Sequence, residues 1–240
     1  MNPAALKRER PGTGAVLAIG AALIVLALVP LVSARAGTFP IGVSVIGGIG
    51  SGYYDMGSLN HFLGRLAQDS NIYFDGLDKG VNVKLEGRVW LYDRFALAGG
   101  YEHLWGKTES TGTSTTLTFQ APADIYTIGT VVRVYTVREG LNLCAGANLC
   151  FAESVYGTNV FNSSRVLSEY KGKDQGFEIY AEAHSVFLNP VTVGFQLGYR
   201  SLTIAELKDK SSSADLFGTP GANEIDYSGA FFYFTAGIRL

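Results

Sequence analysis

The chain has 240 residues, of which 47% are hydrophobic, 12% aromatic and only 17% charged, with 30 glycines. A charged share below the usual ~25%, beside so much apolar and aromatic content, excludes a disordered or collagen-like polymer. Lys and Arg number 19 against 21 Asp and Glu, a net charge of -2, so no basic surplus points to a nucleic-acid partner.

Lys7, Arg8 and Arg10 precede an apolar run from Ala15 to Val32, and Ala34-Arg35-Ala36 supplies a small-residue cleavage pattern before Gly37. This order predicts a helical signal peptide over residues 1–36 and an exported domain over residues 37–240. The alternative is an uncleaved inner-membrane anchor, because the run nearly reaches the ~18 apolar residues of a spanning-helix candidate. Cleavage leaves 15 basic and 20 acidic residues, a net charge of -5. No second long apolar run follows Gly37, so a membrane could be entered after that point only by strands.

In chain order, period-two alternation and richness in Val, Ile, Tyr, Phe and Thr predict strands near 39–54, 80–92, 94–106, 124–137, 140–155, 174–188, 190–204 and 226–240. All exceed the ~9–11 residues that a tilted strand needs to cross a bilayer. Between the first two strands, Leu59, Phe62, Leu63 and Leu66 recur at helical spacing behind Ser58, a suitable N-cap, and predict a short amphipathic helix. That helix would pack on a barrel rim, or cover the mouth or bind an apolar ligand. The Thr- and Ser-rich stretch from Lys107 to Ala123 is a candidate hairpin extension. Tight turns at Asp93, Arg138-Glu139 and Asn189-Pro190 alternate strictly with long polar connections. A closed up-and-down barrel in an outer membrane shows this alternation, with its long loops outside.

Each strand has two chemically different faces. On the sixth, Phe177, Ile179, Ala181, Ala183 and Phe187 oppose Glu178, Tyr180, Glu182 and His184. In a soluble barrel of the lipocalin kind the apolar face would form the core. Strand length, loop alternation and sparse charge favour the opposite arrangement, with apolar residues outward. Aromatic residues near strand ends fit interfacial girdles: Tyr53, Tyr101, Trp105, Tyr126, Phe177, Tyr199 and Tyr227 toward the long loops, and Phe39, Phe95 and Phe187 toward the turns.

Signal peptide, loop alternation and amphipathic last strand together make residues 37–240 resemble the small eight-stranded outer-membrane barrels of the OmpA, OmpX, OmpW and opacity-protein type. The resemblance implies an all-β, eight-stranded antiparallel up-and-down transmembrane barrel in the bacterial outer membrane. It further implies contact with outer-membrane lipid and insertion by the barrel assembly machinery. In that family the assembly signal is commonly a C-terminal strand of the form polar-x-Gly-x-x-aromatic-x-aromatic. Tyr227-Ser228-Gly229-Ala230-Phe231-Phe232-Tyr233-Phe234 matches it, with six further residues ending at Leu240. The machinery would read either Phe232 and Phe234 or the terminal Ile238-Arg239-Leu240.

Eight strands leave an interior just wide enough for side chains to fill. The inward set is Lys84, Glu86, Arg88, Glu102, Arg133, Glu178, Glu182, His184, Arg200 and Arg239, five basic against four acidic residues before His184 is counted. Turn positions fix register: Lys84 is expected opposite Glu102 and Glu178 opposite Arg200, as ion pairs, with Arg133 opposite Cys144. This network either plugs the lumen or forms a narrow or gated path for ions or small hydrophobic molecules. Cys144 and Cys150 share one face of one strand roughly 20 Å apart, too far to bridge, and are expected as small lumen fillers.

His61, His103 and His184 do not converge in sequence, so neither a metal site nor a cofactor is expected. No His-x-Ser pair occurs, such as some lipid-modifying barrels of this size use, so the expectation is a non-enzyme. Two functions follow as candidates: a structural or surface-interaction barrel whose loops meet extracellular ligands, or a narrow channel.

Overall fold

The computed structural model describes residues 41–240 apart from 58, 62, 65–72, 75, 92–93, 112–116, 138–139, 161–164, 206 and 210–223. The signal-peptide reading of residues 1–36, Phe39, and Phe62 and Leu66 of the expected loop helix lie outside the described residues.

The first strands are β1 (Ile41–Tyr53), β2 (Tyr73–Phe74), β3 (Lys79–Leu91), β4 (Phe95–Trp105), β5 (Lys107–Thr111), β6 (Leu117–Gln120) and β7 (Ala123–Thr136). They continue as β8 (Leu141–Val160), β9 (Arg165–Leu188), β10 (Val191–Ser201), β11 (Thr203–Ile204), β12 (Lys208–Asp209), β13 (Ile225–Asp226) and β14 (Gly229–Arg239). Eight of them are long, and each pairs antiparallel with the next long strand: β1 with β3, then β4, β7, β8, β9, β10 and β14. Because β14 returns to β1, from Ser44 opposite Arg239 to Gly52 opposite Phe231, the barrel closes and leaves no edge through its wall. The closure relies on Gly229. Its φ is +154°, and a Cβ there would lie 1.7 Å from the Tyr53 carbonyl oxygen.

The period-two pattern decides which face is which. Ile49, Leu97, Ile128, Leu149, Phe195 and Phe234 are all more than half exposed, whereas Glu86, Arg88, Glu178 and Arg200 are at most 2% exposed. A water-soluble barrel would reverse those values. Exposed Tyr53, Trp105, Phe177 and Tyr199 stand toward the long-loop end of this apolar exterior, and Phe95 and Phe187 toward the other. The barrel is built to sit in lipid.

Register agrees with the turn argument. Lys84 stands opposite Glu102, Glu178 opposite Arg200 and Arg133 opposite Cys144. Register shifts among the described residues lie near strand ends, between Arg133 and Tyr135, between Val191 and Thr192, and between Thr158 and Asn159 at the far end of β8, so the barrel body keeps one register.

Four expected strand extents need correction. The fifth and sixth strands are longer than 140–155 and 174–188, because β8 and β9 stay paired from Leu141 opposite Ser185 to Val160 opposite Arg165. From Leu149 to Val160 that is eleven residue steps, roughly 36 Å along the strand at ~3.3 Å each. β10 stops at Ser201 rather than 204 because Thr203 and Ile204 leave the wall to pair with Asp226 and Ile225. The same departure delays the last strand to Gly229. β6 pairs with the far end of β8, β5 with β6, and β2 with β5, while β12 joins β9. One side of the wall therefore rises into a sheet beyond the apolar band. The stretch from Lys107 contributes its hairpin to this sheet.

Candidate functional site

Strand alternation sends every second side chain of β3, β4, β8, β9, β10 and β14 into the lumen, where two charge clusters form. In the cluster nearer the tight turns, Arg88 bridges two carboxylates. Its Nε donates to Glu86 Oε1 at 2.5 Å, and its two terminal nitrogens donate to Glu182 at 2.9 and 2.5 Å. β3 and β9 are not neighbours in the wall, so this fork spans the lumen. His184 Nδ1 lies 2.7 Å from Glu182 Oε1. Lys84 Nζ sits 3.1 Å from Glu86 Oε2, donates to Gln196 Oε1 at 2.7 Å, and lies between the rings of Tyr180 and Tyr233.

In the second cluster Arg200 donates to Glu178 at 2.9 Å and, across the lumen, to Glu102. The Tyr233 hydroxyl donates to Glu102, and Asn148 Nδ2 donates to Glu178 at 2.8 Å. Glu178 and Arg200 thus form the expected ion pair. Lys84 and Glu102 do not, although they stand opposite each other: Glu102 is taken by Arg200 and Tyr233, and Lys84 by Glu86 and Gln196. A lysine reaches far enough for a diagonal or cross-lumen partner to displace the one that register offers. Of the remaining expected lumen cations, Arg133 and Arg239 both stack on Trp90, whose indole donates to Ser44 Oγ.

Above the charges lies an apolar layer. Leu59, Leu63, Leu77 and Met56 from the first long loop are buried with Leu104, Ile125, Cys150 and Ala152 of the wall and with Leu202, Ile204, Leu207 and Ile225. Within the expected helix, Leu59, Asn60, His61, Leu63 and Gly64 have helical backbone, as does Gly57 just before it, and Asn60 N donates to Met56 O. Leu59 and Leu63 cover the mouth. Tyr227 corrects the girdle assignment: it is buried in this layer, its hydroxyl donating to Ala121 O at 3.0 Å and hydrogen-bonded to Ser154 Oγ at 2.7 Å. Polar at its tip only, a tyrosine suits either place, and alternation breaks before Gly229. Phe232, Phe234 and Leu240 of the expected assembly signal do face outward.

The histidines stand apart from one another. His61 is exposed, and His103 on the outward face has Nδ1 2.7 Å from Asp124 Oδ1, which also accepts from the Tyr101 hydroxyl. His184 has other company that the sequence did not reveal. One ligand atom from each of Cys144, Glu182 and His184 lies within 4.8 Å of the others. Only the β8–β9 register, Cys144 opposite Glu182 and Asn142 opposite His184, brings them together. Both cysteines are free and buried.

The fold is that of a small membrane-spanning β-barrel. No protein-family model matches the sequence, and no curated protein sequence matches it. Among solved structures the chain is similar to OprG, an outer-membrane protein of Pseudomonas aeruginosa (9% identity, 85% of this chain and 98% of that one, TM-score 0.48). It is also similar to Ail, the attachment invasion locus protein of Yersinia pestis, solved with the heparin analogue sucrose octasulfate (10% identity, 83% and 98%, TM-score 0.42). Neisserial surface protein A is a third (10% identity, 83% and 95%, TM-score 0.38).

Proposed function

We propose that this chain is a bacterial outer-membrane barrel that acts as a structural or surface-interaction protein and not as a channel or an enzyme. The observation that carries this reading is the filled lumen: two cross-lumen charge clusters under an apolar layer contributed by the loops. Each lumen carboxylate has a cationic partner, and ions would have to displace both layers to pass. The long-loop end, taken as extracellular, instead carries the raised sheet of β8, β9 and the short strands that join them. Extracellular ligands would meet that sheet. Outer-membrane lipid covers the apolar band, and the barrel assembly machinery would engage the last strand through outward Phe232 and Phe234 or the terminal residues.

Single-channel recording of the refolded barrel in planar bilayers tests the proposal, with Glu182→Gln and Arg200→Gln alongside. A silent parent barrel that still shifts its gel mobility on heating supports it. Reproducible openings that these substitutions alter would overturn it in favour of a channel gated by the lumen charges.

A further inference from the structure

Cys144, Glu182 and His184 bring three different metal-ligand chemistries to one place in the lumen. Thiol, carboxylate and imidazole are the donors that Zn2+ sites use, and three protein ligands with one open position is a common arrangement for that ion. Tetrahedral ligands at Zn2+ bond lengths stand about 3.3–3.6 Å apart. The three donors already lie within 4.8 Å of one another, with His184 Nδ1 and Glu182 Oε1 at 2.7 Å. Small rotations of two side chains on adjacent strands therefore suffice: the sulfur moves inward and the imidazole outward.

The surroundings support such a site. Arg88 holds Glu182 by a two-point fork, and an outer-shell partner of this kind fixes the orientation of a ligating carboxylate. A dication, a thiolate and a carboxylate sum to zero, so the occupied site is itself neutral beside Arg88, Glu86 and Arg133, one unit more positive than the empty site with its thiol protonated. The His184 side chain is 11% exposed, more than the 1% of Glu182, and belongs to the half of the lumen nearer the tight turns, which gives an entry side.

We propose that Cys144, Glu182 and His184 form a binding site for one borderline-soft transition-metal dication of the Zn2+ type, entered from the tight-turn end of the barrel. Binding replaces the thiol proton of Cys144, which leaves to solvent, by a metal–sulfur bond. His184 ligates as neutral imidazole, and water takes the fourth position.

Co2+ added to the folded full-length chain in detergent is the probe, because tetrahedral cobalt shows visible d–d bands and a near-ultraviolet sulfur-to-metal band. The expected result is one cobalt per chain with both signatures, displaced by Zn2+. Cys144→Ser abolishes the sulfur band, while Cys150→Ala retains it and leaves Cys144 as the sole thiol. His184→Gln weakens cobalt binding by at least the roughly 10–100-fold that loss of even an outer-shell partner costs. Heat-modifiable gel mobility confirms that each variant is folded. Absence of the sulfur band from the folded parent and from Cys150→Ala, or its persistence in Cys144→Ser, would overturn the proposal.

Discussion

Replacing Arg88 by Met is the sharpest test of how the lumen is held. The guanidinium side chain is 1% exposed and makes three hydrogen bonds to two carboxylates, whose side chains are also 1% exposed. Without it Glu86 keeps Lys84 at 3.1 Å, but Glu182 keeps only His184. Removing one partner of a buried pair strands the other charge and costs about 3–5 kcal/mol. With a urea m-value of roughly 1–3 kcal/mol/M, the unfolding midpoint should fall on the order of 2 M. Equilibrium urea unfolding from phosphatidylcholine vesicles, followed by tryptophan fluorescence, measures this. The double substitution Arg88→Met/Glu182→Met should recover most of the loss, since no orphaned charge remains and two apolar side chains fill similar volume. A single variant within about 1 kcal/mol of the parent, or a double variant no more stable than the single, would refute the account.

Four further outcomes follow from the same geometry. A double-mutant cycle on Lys84 and Glu86 should show coupling, and one on Lys84 and Glu102 much less, despite their opposed positions; equal coupling would restore the register-based pair. Tyr227→Phe should cost about 1–3 kcal/mol in the same unfolding assay, because the Ala121 carbonyl and Ser154 lose a buried partner. Gly229→Ala should prevent closure of β14 on β1, seen as loss of the heat-modifiable gel species, because its Cβ would meet the Tyr53 carbonyl. Hydrogen bonds from Lys173 and then Lys171 hold the Glu153 carboxyl below its ordinary value, out beyond the apolar band. A lowered carboxylate contributes stability above its unfolded pKa of about 4.3 and loses it as pH falls. For so exposed a group that contribution is below about 1 kcal/mol. Lys173→Ala should raise its midpoint in a carbon-13 NMR titration, and no change would remove Lys173 as the cause.

Alternation and turn spacing by themselves determined the class of fold. A strand has only two faces, so Phe177, Ile179 and Ala181 could be separated from Glu178, Tyr180 and Glu182 by counting, and a tight turn at Asn189-Pro190 leaves one register for Glu178 and Arg200. Both are local properties, which is why they survive in a bare sequence. Partners across the lumen are not local. Arg88 and Glu182 are 94 residues apart on strands that do not pair, and Arg200 meets Glu102 rather than leaving it to Lys84. Choosing among several long side chains in one interior is a packing problem that register does not solve. The β8–β9 connection is long, so nothing in its sequence announced that Cys144 would stand opposite Glu182. Tyr227 shows the same limit at the mouth, where alternation lapses and burial depends on what the loops bring. The lumen filling, its apolar cover and the Cys144–Glu182–His184 cluster were decided only when eight strands closed on one another.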